Sequence, residues 1–76
     1  MDGDIFIWDS ATLGKALKEQ RRSLGLKQAD VAGDLGFSPR LLSEIENGRD
    51  TVAYGKILRY ADYLAMDFVI RKRGDK

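Results

Sequence analysis

The stretch QADVAGDLGFSPRLLSEIENG, residues 28–48, decides the fold. Val31 and Leu35 are spaced as on one face of a helix, yet Gly36 follows at once, and a glycine inside a helix weakens it by about 1 kcal/mol relative to Ala. Two short helices explain the interruption better than one long one. Gln28 to Leu35 reads as the first of them, with Ala29, Val31, Ala32 and Leu35 pointing inward and Gly36 closing it. Ser38 followed by Pro39 starts the second: the hydroxyl satisfies an orphan N–H, and proline at the first helical position forfeits no hydrogen bond. Leu41, Leu42 and Ile45 form its inner stripe and leave Arg40, Ser43, Glu44 and Asn47 facing outward, until Asn47 and Gly48 end it in a turn.

Two short helices joined by a turn of three or four residues pack at about 90–120° only if their backbones approach closely. Ala32 is small enough to allow that, Gly36 supplies the position that tolerates positive φ, and Phe37 plugs the corner. Counted from Gln28, the inward residues Val31, Ala32, Leu35, Phe37, Leu42 and Ile45 follow the helix-turn-helix pattern.

Working outward, Asp9 or Ser10 can cap an earlier helix that carries Leu13, Leu17 and Leu24 on roughly one face and stops at Gly25. Beyond the linker RDTVA, residues 54–65 read as a further helix, with Ile57, Leu58, Ala61 and Leu64 on the core side and Tyr60 and Tyr63 on a second, aromatic side. The terminal segments DIFIW (4–8) and DFVIRKR (67–73) are rich in β-branched and aromatic residues and read as strands, paired with each other or with a second copy. The expected architecture is mainly α, with four to five short helices and a short C-terminal β-strand. Its parts are a strand-like extension (1–9), a helix-turn-helix domain (10–66) and a C-terminal strand with a basic tail (67–76).

Composition narrows the function. The chain has 76 residues, no Cys and no His, so neither the usual zinc ligands nor a thiol or imidazole catalyst can be assembled, and no metal or cofactor is expected. An enzyme is the class least favoured. No run of 18 apolar residues exists, and acids stand where a secretory signal would place bases, so the cytoplasm is the expected compartment, with no membrane partner. Net charge is only +1, but it is unevenly spread: Lys15, Lys18, Arg21, Arg22 and Lys27 oppose Glu19 alone, and Arg71, Lys72, Arg73 and Lys76 oppose Asp75.

The segment LGKALKEQRRSLGLKQADVAGDLGFSPRLLSEIENGRDTVAYGKILRYADYL, about residues 12–65, resembles Cro/CI-type helix-turn-helix domains, the lambda-repressor-like family that includes phage repressors and bacterial XRE regulators. With the tail MDFVIRKRG following directly, it is most similar to HipB-type antitoxins. That resemblance implies a homodimer on a palindromic operator, repression of its own operon, and a kinase-like toxin of the HipA type as partner.

It also implies residue roles. Residues Ser38 to Asn47 form the helix that enters the major groove, with Pro39, Arg40, Ser43 and Glu44 at the base-facing positions. Arg40 suits guanine, whose O6 and N7 accept two bonds from a guanidinium, with a phosphate grip as its alternative, whereas Glu44 stands where the family often has an amide and would accept from cytosine N4. Pro39 also replaces the common amide and offers only apolar contact, for example to a thymine methyl. Lys27, Gln28, Asn47 and Arg49 correspond to backbone-contacting positions, although Asn47 is equally a turn former. Arg21 and Glu46 match a structural ion pair of the family. Trp8, Tyr60 and Tyr63 read as core or dimer contacts, and Phe68, Val69 and Ile70 as the dimer interface. Two other readings stay open: a free-standing XRE or phage-like regulator, and a protein-interaction module without DNA reading.

Overall fold

A computed structural model describes residues 3–74. Met1, Asp2, Asp75 and Lys76, which the sequence assigns to the extension and the basic tail, lie outside them. Four helices follow in order: α1 (Ser10–Ser23), α2 (Gln28–Leu35), α3 (Pro39–Glu46) and α4 (Tyr54–Tyr63).

Local chemistry sets each boundary. Asp9, not Ser10, caps α1: its Oδ1 accepts from the Thr12 N–H at 2.8 Å, while Thr12 Oγ1 accepts from the Asp9 N–H at 3.1 Å, a reciprocal capping box. Gly25 (φ +74°) leaves α1 in the left-handed region, and the Leu26 N–H returns to Arg21 O at 3.1 Å. Gly36 (φ +73°) ends α2 in the same way, with the Phe37 N–H donating to Ala32 O at 2.9 Å. Ser38 Oγ accepts from the Leu41 N–H at 3.1 Å, and Pro39 occupies the first position of α3 as expected. Ser38→Ala is therefore expected to cost about 1 kcal/mol, read as a lower thermal midpoint by circular dichroism with the fold unchanged.

The core is one cluster of Leu17, Val31, Ala32, Phe37, Leu42, Ile45, Tyr60, Ala61 and Leu64. It includes five of the six residues named for the corner between α2 and α3; the sixth, Leu35, packs against it half-buried. Helix α3 rests on both α1 and α2, so its position is set from two sides.

Several expectations are corrected. Ala29 is exposed, because the buried side of α2 runs through Val31 and Ala32. Leu58 is 40% exposed on α4, and Leu24 is 49% exposed because α1 ends at Ser23 and leaves it in the closing turn. Helix α4 ends at Tyr63 rather than at 65, because Ala65 adopts φ +60° and the Met66 N–H closes onto Ala61 O at 2.9 Å. That closing turn normally takes glycine, so an Ala gives no stop signal.

The largest correction concerns the ends. No β-strand forms among the described residues, and residues 4–8 and 67–73 are non-helical without a ladder. Their composition favours extended backbone, but a strand requires a paired edge, and this chain by itself supplies none. The two segments nevertheless sit near each other, with Asp4 Oδ2 3.6 Å from Arg71 Nη2. Phe68 meets the edge of the Tyr54 ring at 5.9 Å between centroids.

Candidate nucleic-acid interface

The buried stripe of α3 fixes what its other side presents. Leu42 and Ile45 are in the core, so Pro39 and Arg40 are exposed at its start, Ser43 and Glu44 half-exposed in its middle, and Asn47 exposed at its end. The four residues expected to face bases therefore share one uncovered ridge. Arg40 projects furthest, its side chain 85% exposed, and its Nε donates to Glu44 Oε2 at 3.3 Å. Asn47 Nδ2 donates to Ser43 Oγ at 3.3 Å, so the two polar side chains at the far end of the ridge are linked. Ser38 lies at the near end, its oxygen engaged as the helix cap.

The flanks are built from the ends of the neighbouring elements. Lys27 is the exposed residue before α2 and offers no cap to it, which leaves the first N–H groups of α2 pointing outward at the positive end of the helix dipole. Gln28 follows, half-buried. Arg49 is exposed just after Gly48 (φ +78°), the residue that turns the chain away from α3. Gln28 is joined to the C-terminal end of α3 through one residue, Glu46.

Glu46 lies at the C-terminal end of α3 and is buried, its side chain 2% exposed. Arg21 of α1 grips it twice, from Nε at 2.7 Å and from Nη2 at 3.1 Å, and sends Nη1 to Leu26 O at 2.8 Å. Gln28 Nε2 adds a third donor at 3.1 Å, and the Tyr60 hydroxyl a fourth. Burial opposes ionisation of Glu46, but these donors outweigh it and hold the carboxyl below the usual range, while Arg21 is raised by its bond to Glu46. Burial and the adjacent carboxylate push the Tyr60 phenol well above its ordinary value. One ionised carboxylate therefore ties α1, the start of α2 and α4 to the end of α3. The expected Arg21–Glu46 pair is present; the two further partners are new. Tyr60 shows no such role in sequence, because a tyrosine on an apolar helix face looks the same whether or not its hydroxyl is bonded.

The close approaches at two glycines also escaped sequence reading, although the sequence places Gly48 in a turn. A Cβ on Gly14 of α1 would lie 2.5 Å from Ile45 O and 2.6 Å from Glu46 O, and one on Gly48 would lie 2.7 Å from Ala11 Cα. Backbone meets backbone at both points, which seats the end of α3 directly on α1. The available signal was Gly14 itself, a glycine inside a helix that only a close approach would justify. Phe37 carries a further unforeseen feature: Lys56 Nζ and Arg59 Cζ of α4 lie 5.4 and 5.1 Å from its ring centroid.

Trp8 is 72% exposed and stacks on Phe6, and Phe68, Val69 and Ile70 are 38, 70 and 100% exposed. Tyr63 is half-buried and its hydroxyl donates to Asp34 at 2.5 Å. Among the described residues no three acidic side chains converge as a metal site would, and no helix is long and apolar enough to cross a membrane.

Residues 12–70 match the family model of a helix-turn-helix domain. The chain belongs to that family. Over 64 residues, 84% of this chain and 71% of the relative, this helix-turn-helix protein is 36% identical to the ImmF control region 10 kDa protein of Bacillus phage phi105. Its fold is shared with HipB in a complex with an O2 20mer (TM-score 0.85, 21% identity, 95% of this chain and all of the other). HipB in an O4 20mer complex agrees equally well (TM-score 0.83, 20% identity, 93% and 100%). Family membership makes this chain a DNA-binding regulator of the XRE type and points away from an enzyme.

Proposed function

We propose that the protein is a sequence-specific transcriptional repressor that binds a palindromic operator as a homodimer in the cytoplasm, with α3 in the major groove. The observation that carries this reading is the uncovered polar ridge of α3, led by Arg40 and flanked by Lys27, Gln28 and Arg49. In this reading Arg40 reads guanine, Pro39, Ser43 and Glu44 lie along the same groove, and Lys27, Gln28, Ser38, Asn47 and Arg49 meet the backbone.

One reading helix makes few contacts, and two copies on half-sites about 34 Å apart, or a multiple, supply the remainder. Phe68, Val69 and Ile70, apolar and exposed, are the surface through which the copies would join. Sedimentation of a chain lacking residues 67–76 tests this: a monomer is expected, and a stable dimer would refute it.

Titration of selected duplex DNA at two salt concentrations tests the main reading. Affinity should fall steeply with salt, because phosphate neutralisation releases counterions. Weak, salt-insensitive association would favour the interaction-module reading instead. Arg40→Ala should weaken specific binding by about 1–3 kcal/mol and relax preference at one position, whereas Lys27→Ala should weaken all sequences alike. Equal losses on selected and random DNA in the Arg40 variant would contradict its role.

The fold shared with HipB supports a finer reading, an antitoxin that represses its own operon and binds a HipA-like kinase toxin. Identity to a phage control-region protein favours a second, a free-standing regulator without a toxin. A kinase-like reading frame adjoining the gene, whose product co-purifies with this chain, would decide for the antitoxin; its absence would decide for the free-standing regulator.

A further inference from the structure

We infer that Glu44 does not read a base but acts as a positioning residue that aims Arg40 at guanine. This rests on the DNA-reading function proposed above and assigns the specificity of the α3 ridge to the pair rather than to two independent readers.

Helix stability does not explain the pair. Arg40 is the second residue of α3 and Glu44 lies in its last turn, so the base sits at the positive end of the helix dipole and the acid toward the negative end, each at the unfavourable pole. The order is also the weaker one, since a four-residue pair stabilises a helix more when the acid comes first. Two charges held against the dipole point to a use outside the helix.

Geometry indicates the use. Glu44 is set deep in the ridge, 29% exposed, while Arg40 reaches past it at 85%. Whatever enters the space above α3 therefore meets the guanidinium before the carboxylate. The carboxylate engages Arg40 through Nε, at 3.3 Å, which leaves both terminal nitrogens free. Those are the two parallel donors that match O6 and N7 of guanine. An unsupported arginine must surrender several rotamers on binding, and a partner that already restrains it lowers that cost, here for the one base edge able to accept both bonds. In water the exposed ion pair is weak, but between protein and DNA the local dielectric falls and its attraction grows.

The test is site selection by the full chain from a pool of double-stranded oligonucleotides with a randomised core, run in parallel on wild type, Arg40→Ala, Glu44→Ala and Glu44→Gln. Matched thermal midpoints establish that the variants are folded, and Glu44 is exposed enough for both replacements to be tolerated. Arg40→Ala should erase guanine preference at one position of each half-site. Both Glu44 variants should lower discrimination at that same position about three- to tenfold, the scale of freeing one long side chain, and leave other positions unchanged. Loss of a cytosine preference at a different position, with guanine preference intact, would overturn the inference in favour of direct reading by Glu44. Unchanged selection by the Glu44 variants would overturn it too, as would an Arg40→Ala chain that keeps every guanine preference. A wild-type chain that enriches no sequence would instead remove the DNA-reading function on which the inference rests.

Discussion

Arg21→Ala is expected to destabilise the domain by about 3–5 kcal/mol, because it strands a buried carboxylate. Glu46 would keep only the amide of Gln28 and the hydroxyl of Tyr60, and neither neutralises its charge. Solvent screening offers little relief, since the two side chains are 10% and 2% exposed. A single core of this size supplies roughly 3–5 kcal/mol in all, so the variant should be largely unfolded at 25 °C. Urea denaturation followed by circular dichroism measures this, and a variant within 1 kcal/mol of wild type would show that Glu46 is satisfied without its cation.

The same cluster sets the pH dependence. Glu46 has a folded pKa below its ordinary value of 4.5, so the unfolded chain binds its proton more tightly. Its contribution is complete above the ordinary value and is lost as pH falls through the folded one. Tyr60 works in the opposite sense: with a folded pKa above 10.0, its contribution is complete below 10.0 and declines as pH rises through the folded value. Stability should therefore hold across the neutral range and drop at both extremes. Tyr60→Phe should remove the Tyr60 share of the alkaline drop, leaving the smaller part from Tyr63, whose phenol is raised by its bond to Asp34, and most of the acid one.

Gly14→Ala should be the second most damaging change, at about 3 kcal/mol, the upper end of what overpacking typically costs. Helix propensity alone predicts the opposite sign, since Ala is preferred over Gly by about 1 kcal/mol inside a helix. The new Cβ would stand 2.5 and 2.6 Å from the carbonyl oxygens of Ile45 and Glu46, where ordinary contact begins near 3.4 Å. Backbone cannot rotate aside as a side chain can, so α1 and α3 must separate, loosening the cluster that Leu17, Leu42 and Ile45 share. A rise in thermal midpoint for Gly14→Ala would refute the close approach; a fall of many degrees is expected.

The sequence determined by itself whatever local chemistry decides. Gly25, Gly36 and the Ser38–Pro39 pair mark helix ends through backbone preferences that hold in any context, and the apolar spacing from Val31 to Ile45 states which side of α3 must be buried. The exposed ridge of Arg40, Ser43, Glu44 and Asn47 follows as the complement of that stripe, so most of the candidate interface was legible. Where the local signal was absent or ambiguous the reading failed: Ala65 takes a left-handed turn without being glycine, and the β-rich termini form no strand in a chain that provides no edge to pair with. Only the tertiary structure decided that Tyr60 and Gln28 converge with Arg21 on Glu46, and that Gly14 lets two helix backbones meet. Those contacts join residues 14 to 32 positions apart, and no periodicity along one helix encodes which side chain of another will arrive opposite it.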